Sequence, residues 1–302
     1  MQTFYSNGKL LITGEYVVLD GALSLALPTK FGQSLIVESI NDQKLVWNSF
    51  DEKEEVWFKD TFSIGKIASV FSNPQNDVSK RIVQILNAVK TLNPDYLNTI
   101  SGQKVSTHLT FPRNWGLGTS STLINNIAQW ADVNAFQLLE KTFGGSGYDI
   151  ACAQNNFTLT YQLQKGLPIV TKVDFNPDFK NQLYFVYLNK KQNSRDGIAS
   201  YKLNKGNINS AISEINDITN KIIEVSTLSN FEALITQHET IISKIIKIKP
   251  IKDLLFNDFK GSIKSLGAWG GDFILVTSEE NPTAYFKNQG YNTIIPYLEM
   301  VL

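Results

Sequence analysis

Apolar residues change their spacing along this chain of 302 residues, and the order of that change limits the folds open to it. A spacing of two comes first. Residues 9–13 (KLLIT) and 16–19 (YVVL) read as strands parted by Gly14 and Glu15, and Asp20-Gly21 is a hairpin-type turn. LIVESI (35–40), KLVWN (44–48) and EEVWF (54–58) continue the extended pattern across short polar breaks. Helical spacing enters over residues 78–92, through Val78, Ile82, Ile85, Leu86 and Val89. VSTHLTF (105–111) alternates again, and residues 120–131 return to a helix through Leu123, Ile124, Ile127, Ala128 and Ala131.

The second half interleaves the two periods. FTLTYQL (157–163) and LYFVYL (183–188) read as strands, and NKKQNSRDG (189–197) as a polar loop. Two amphipathic helices follow, one from Ile208 to Ile222 and one from Phe231 to Ile245, then a third over residues 251–265. FILVT (273–277) is a strand, and AYFK and NTIIPYL close the chain. Strands first, then helices mixed with strands, predict an α+β fold rather than a regular parallel repeat. The length suits two domains, with a boundary expected between residues 165 and 182 and set here at 1–175 and 176–302.

Composition excludes several functions. Lys plus Arg and Asp plus Glu stand at 28 each, with no long basic run, so neither nucleic acid nor a membrane surface is the expected partner. No uninterrupted apolar run approaches about 18 residues, and the start MQTFYSNGK has no secretory pattern, so a soluble cytoplasmic protein is expected. One cysteine, Cys152, cannot form an internal disulfide and sits in an apolar run as filler. The two histidines, His108 and His238, are too few for a histidine-rich metal centre, and His238 falls inside a helical apolar stripe as a core residue.

Glycine is concentrated where chemistry could sit. Eight of nineteen lie in three places: Gly116 and Gly118; Gly144, Gly145 and Gly147; Gly267, Gly270 and Gly271. The first is FPRNWGLGTSSTLINN (111–126), in which a strand ends and Thr119, Ser120, Ser121 and Thr122 open a helix. Small residues admit a ligand close to the backbone, and the N–H groups of a first helical turn attract phosphate; a plain loop with a hydroxyl cap would look the same. The second, GGSGYDIACAQ (144–154), puts Asp149 at a helix start, either as a cap or as a catalytic carboxylate held in direction. Neither a Walker loop nor a complete dinucleotide fingerprint is present.

Together these stretches resemble the GHMP kinases, the galacto-, homoserine, mevalonate and phosphomevalonate kinases. P-x-x-x-G-L-G-T-S-S-T looks like the family's ATP-phosphate motif, SNGKLLITGEYVVLDGA (6–22) its N-terminal motif, GAWGGDFILV (267–276) its C-terminal glycine loop, and GGSGYDIACA the segment bearing its aspartate. The four follow the family's order from residue 6 to residue 276. The resemblance implies an N-terminal domain like the second domain of ribosomal protein S5 and a ferredoxin-like C-terminal domain.

It also implies ATP and Mg²⁺ as cofactors, with the nucleotide on Pro112, Gly116, Leu117, Gly118, Thr119, Ser120 and Ser121, and Ser120 as a magnesium-binding hydroxyl. Asp149 would face the substrate hydroxyl with Lys9 beside it, and Glu15, Gly147, Gly270 and Gly271 would lie near the substrate. The basic spot KKQNSR (190–195) is either a solvated loop or a grip on a phosphorylated substrate through Lys191, Ser194 and Arg195. The Gly-Glu-Tyr and Ser-Gly-Tyr-Asp forms favour phosphomevalonate, with mevalonate second. A homodimer is an assembly such a chain could form. A catalytically silent nucleotide-binding protein is the alternative.

Overall fold

The computed structural model describes residues 1–63, 76–97 and 101–302. The chain divides into two compact units, each gathered from separated segments. The first holds residues 1–8, 31–113 and 118–154, and the second holds 9–30, 114–117 and 155–302. Strands β1 (Gln2–Leu11) and β2 (Ser24–Ile40) supply residues to both.

In the first unit, β3 (Lys44–Phe50) pairs antiparallel with β4 (Val56–Ser63) and parallel with β5 (Gly102–Leu109), which pairs antiparallel with β2. Alternation puts Leu35, Val37, Leu45, Trp47 and Val105 on one buried face. Four helices supply the other side of that core: α1 (Asp77–Leu92), α2 (Thr119–Trp130), α3 (Ala135–Thr142) and α4 (Tyr148–Gln154). Helix α1 starts where the Asn76 side chain accepts the N–H groups of Val78 and Ser79, and it buries Ile82, Ile85, Leu86 and Val89 as the spacing predicted.

Gly102 opens β5 against the β2–β3 turn, where an added Cβ would lie 1.7 Å from the Asp42 carbonyl oxygen. Backbone cannot yield as a side chain can. Gly102→Ala is therefore expected to cost about 2 kcal/mol or more, read as a lowered urea midpoint.

In the second unit, Ser24–Ala26 of β2 pairs with β6 (Leu159–Gln164), which pairs with β7 (Leu167–Lys172). A separate antiparallel sheet has the order β11-β8-β10-β9, formed by β8 (Leu183–Tyr187), β9 (Ile263–Ser265), β10 (Phe273–Thr277) and β11 (Ile294–Pro296). Its helices are α5 (Ser194–Asn204), α6 (Asn209–Glu224), α7 (Leu228–Ile246), α8 (Ile251–Leu255), α9 (Thr283–Asn288) and α10 (Tyr297–Met300). Val186, Ile274 and Val276 on one face of this sheet bury against Ile251, Phe256 and Phe286.

The architecture is mixed α+β, as the period order predicts. Three local expectations change. Residues 17–20 form a 3-10 helix rather than a strand, because Gly14 (φ 86°) and Tyr16 (φ 65°) take left-handed steps that end the extended run. The expected loop over 189–197 gives way at Ser194 to α5, with the Asn193 side chain capping the Arg195 N–H. The third helix stops at Leu255, and Ile263–Ser265 is a strand instead. Helix α3 and strand β7 were not anticipated. Among the described residues no helix is long and apolar enough to cross a membrane.

Candidate active site

In the first unit, the glycine-hydroxyl segment forms a helix start of the kind that receives anions. Gly118 is in the left-handed region (φ 96°) and is the N-cap of α2. The helical ladder begins with Thr122 N–H donating to Gly118 O at 3.0 Å, so the N–H groups of residues 119–121 face out of its start. The hydroxyls divide in two. Ser121 Oγ donates to Gly118 O (2.8 Å) and Thr122 Oγ1 donates to Gln33 Oε1 (2.8 Å), which turns both inward. Ser120 is exposed and Thr119 partly so. Pro112, in the loop after β5, is half-buried.

Asp149 stands in the first turn of α4, partly exposed, ahead of the fully buried Ile150, Ala151 and Cys152. Gly147 (φ 91°) turns the chain into that helix, and its carbonyl accepts Ala151 N–H at 3.1 Å. Helix α4 packs on α2 and is tied there by Gln154 Nε2 donating to Asn125 Oδ1 (3.1 Å). Asn125 Nδ2 donates in turn to Ser6 Oγ (2.9 Å), and Ser6 Oγ donates to Asn126 Oδ1 (2.7 Å). The structure thus ties the body of α2, the helix whose start bears the hydroxyls, to the Asp149 helix through a partly buried polar chain.

In the second unit, two of the candidate stretches meet at Asp272. Lys9 N–H donates to Leu117 O at 3.0 Å. Gly116 (φ 71°) leaves no room for a side chain, since a Cβ there would lie 2.4 Å from the Asp272 Cγ. Gly271 lies under the Lys190 carbonyl, 2.6 Å from where its Cβ would stand. Gln192 N–H donates to Asp272 Oδ1 at 3.1 Å. Burial raises the Asp272 carboxyl above its ordinary range, a rise held back by the Gln192 N–H, Lys9 and Lys191. Gly116 and the Lys190–Gln192 segment therefore meet at Asp272, a carboxylate that sequence reasoning missed.

Ser194 and Arg195 open α5, whose place is fixed by the first motif. A Cβ on Gly197 would lie 2.6 Å from the Tyr16 hydroxyl oxygen, which sets a close approach. Tyr16 stacks on Tyr201 at 5.6 Å between ring centroids, and the Tyr201 hydroxyl donates to Asp20 Oδ2 at 2.5 Å. The basic segment is thereby anchored beside Gly14-Glu15-Tyr16.

Glu15 itself is fully buried and ion-paired. Its Oε1 lies 2.5 Å from Lys264 Nζ, and its Oε2 lies 3.3 Å from His238 Nε2. Lys264 Nζ also donates to Ser265 O (2.9 Å) and lies 3.5 Å from Glu239 Oε1. His238 is a core histidine, as its place in the apolar stripe predicts, and its Nε2 accepts Gly14 N–H at 2.9 Å. Burial, with Lys264 beside it, keeps the imidazole pKa well below its ordinary value, so the ring is neutral.

Two carboxylates share one ammonium here, leaving a net charge of −1 unless one proton is retained. Burial pushes both Glu15 and Glu239 up to about 7 despite Lys264. A raised carboxyl pKa favours folding below the unfolded value and loses that contribution as pH rises through the folded value. His238 works in the opposite sense, because a depressed histidine loses its contribution as pH falls below about 6.5. Comparison of Glu239→Gln with its parent cancels the His238 part. The variant is expected to gain about 2 kcal/mol on the parent between pH 5 and pH 8, measured by urea unfolding at each pH.

Sequence comparison and structure comparison give different returns. No protein-family model matches the sequence, nor does any curated protein sequence. Solved structures do match, over nearly all of both chains. A mevalonate kinase aligns with 98% of this chain and 98% of its own, at 16% identity and a TM-score of 0.71. Streptococcus pneumoniae phosphomevalonate kinase, solved with phosphomevalonate and AMPPNP, aligns over 96% of each chain at 15% identity and a TM-score of 0.69. Lactococcus lactis galactokinase complexed with galactose covers 95% of this chain and 88% of its own, at 13% identity and a TM-score of 0.67. At such identities the likeness concerns the fold, and the fold of this chain is the two-domain fold of the GHMP kinases.

Proposed function

We propose that the protein is an ATP-dependent phosphotransferase acting on a hydroxyl of a small substrate, with phosphomevalonate first and mevalonate second. The observation that carries this reading is the union, in the first unit, of an anion-receiving helix start at 118–121 with a partly exposed carboxylate at Asp149. Phosphoryl transfer needs little covalent help. It needs a nucleophile held in line and charge neutralised on the phosphate oxygens.

Asp149 would orient the substrate hydroxyl and accept its proton as the oxygen attacks. The outward N–H groups of residues 119–121 would take the nucleotide phosphates, and Gly116, Leu117 and Gly118 let the backbone come close. Lys9 would stabilise the charge that develops on the attacking oxygen. Among the described residues no cluster of three or more acidic, histidine or cysteine side chains could cage a metal. The oxygen of Ser120 nevertheless suits a hard cation delivered on nucleotide phosphates, so Ser120 would hold one Mg²⁺ position, and the ion would supply charge neutralisation there. Lys191 and Arg195 would grip an anionic substrate group, which is the feature favouring a substrate that already carries phosphate.

ATP consumption should be measured against phosphomevalonate, mevalonate, galactose and a heptose phosphate. Turnover highest with phosphomevalonate is the expected result. ATP bound but not consumed with any of these would instead make the chain a nucleotide-binding protein.

A further inference from the structure

Helix α5 is eleven residues long and buries one side chain, that of Tyr201. Ile198 is only partly covered and Leu203 is exposed, so no continuous apolar stripe seats this helix. Helix α7 packs alongside, and Lys247 Nζ donates to Asn204 Oδ1 at 3.4 Å. The closest ties run instead from Tyr201 to the first motif. Its ring stacks on Tyr16 at 5.6 Å between centroids, and its hydroxyl donates to Asp20 Oδ2 at 2.5 Å. Lys205, one turn further on, pairs with Asp20 Oδ1, and its ammonium lies 5.7 Å from the centre of the Tyr201 ring. Both oxygens of Asp20 therefore hold the end of α5.

Tyr16 is itself held in a strained shape. Val17 N–H donates to Glu15 O at 2.8 Å across Tyr16, whose φ of 65° and ψ of −50° make the rare γ-turn of positive φ. Such a shape persists only where its surroundings fix it from several sides. On one side Glu15 Oε1 lies 2.5 Å from Lys264 Nζ and Gly14 N–H donates to His238 Nε2 at 2.9 Å; on the other stands α5. The turn thus sends consecutive side chains to different partners, Glu15 to a buried lysine and Tyr16 to α5. Gly197 completes the fit. Glycine is unfavourable inside a helix, yet a Cβ here would lie 2.6 Å from the Tyr16 hydroxyl oxygen and 3.2 Å from its Cε1. Ser194 and Arg195 belong to the same turn of α5 as Gly197, so the seat of that turn on Tyr16 sets where they stand.

We propose that Tyr201 is a positioning residue for an anionic substrate group: clasped by Tyr16 and Asp20, it fixes α5 and with it the stand of Ser194 and Arg195 at that helix's start. The assignment rests on the phosphotransferase reading only for what Ser194 and Arg195 then bind; the clasp on α5 is independent of it.

The test separates the two. In the full-length protein, hydrogen–deuterium exchange of the peptide covering α5 reads the clasp without any turnover. Tyr201→Phe keeps the ring but loses the bond to a charged acceptor, so the α5 amides should exchange about 10-fold faster or more. Asp20→Asn removes the charge that Tyr201 and Lys205 share and should move those amides in the same direction, which serves if Tyr201→Phe does not fold. With phosphomevalonate as substrate, Tyr201→Phe should raise its KM about 10-fold while KM for ATP and kcat stay within about threefold, because what loosens is binding common to ground and transition states. In an Arg195→Ala background the same change should add less than about twofold, since the group being positioned is gone. Amides of α5 that exchange alike in the parent and both variants overturn the proposal, whatever turnover shows. Faster exchange with KM unmoved, or a Tyr201 effect undiminished in Arg195→Ala, reduces Tyr201 to a structural anchor and overturns it as well. Faster exchange in a protein that binds ATP and consumes it with none of the substrates would keep the clasp and overturn the phosphotransferase reading instead.

Discussion

Asp149→Asn is expected to lower kcat by about 10³-fold or more while nucleotide binding stays within about threefold of the parent. The amide is nearly isosteric, so the helix start that carries it should persist. Ile150, Ala151 and Cys152 remain buried beneath it, and Gln154 still bonds Asn125. What is lost is a base that can take the hydroxyl proton. Residues 118–121, proposed to take the nucleotide phosphates, belong to a different helix, so that binding should not depend on the Asp149 charge. Single-turnover kinetics together with ATP titration checks both halves. Retained turnover, or loss of ATP binding in step with turnover, would mean that Asp149 is a capping acid and that catalysis lies elsewhere.

The second large effect concerns stability. Lys264→Met removes the cation that, among the described residues, pairs with both Glu15 and Glu239, and both carboxylates are buried. Breaking a buried pair by deleting one partner costs about 3–5 kcal/mol, because the remaining charge is left without compensation. The loss should depend on pH in a defined direction. Without Lys264 the carboxyl pKa values rise further, so the variant is penalised least near pH 5, where both groups can be protonated, and most at pH 8. Adding Glu15→Gln to Lys264→Met should recover part of the loss at pH 8. Urea unfolding of the three proteins at both pH values reads this. A deficit independent of pH would show that Lys264 contributes through packing rather than charge.

Much of the fold was legible because it is written locally. Helix α1 announces itself through Val78, Ile82, Ile85 and Val89, and α7 through Phe231, Ile235 and Ile242, because a helix buries one face whatever it packs on. The four motif stretches were legible for a related reason, since glycine and hydroxyl residues mark places where the backbone must take special shapes. Helix α3 was missed although a signal existed: Asn134 accepts the N–H groups of Phe136 and Gln137, an N-cap readable from sequence. Residues 17–20 were misread because their apolar run also suits a strand, and only the left-handed Gly14 and Tyr16 decide otherwise.

The groups that matter electrostatically were largely illegible. Glu15 and Lys264 are 249 positions apart, and nothing beside either names the other. Asp272 stood inside the GAWGGDFILV stretch without a reading of its own. Its contacts with Gly116 and Gln192 form only in the folded chain.

The interleaving of the two units sets an order on synthesis. Every residue of the first unit has been made once Gln154 is added, so that unit can close while the chain is still growing. Residues 9–30 belong to the second unit and must wait for partners made later: Ser24–Ala26 for β6, Gly14 for His238 of α7, and Glu15 for Lys264 of β9. The segment made almost first is thus among the last to find its partners, and in the nascent chain it is a natural client for a chaperone that shields short apolar stretches.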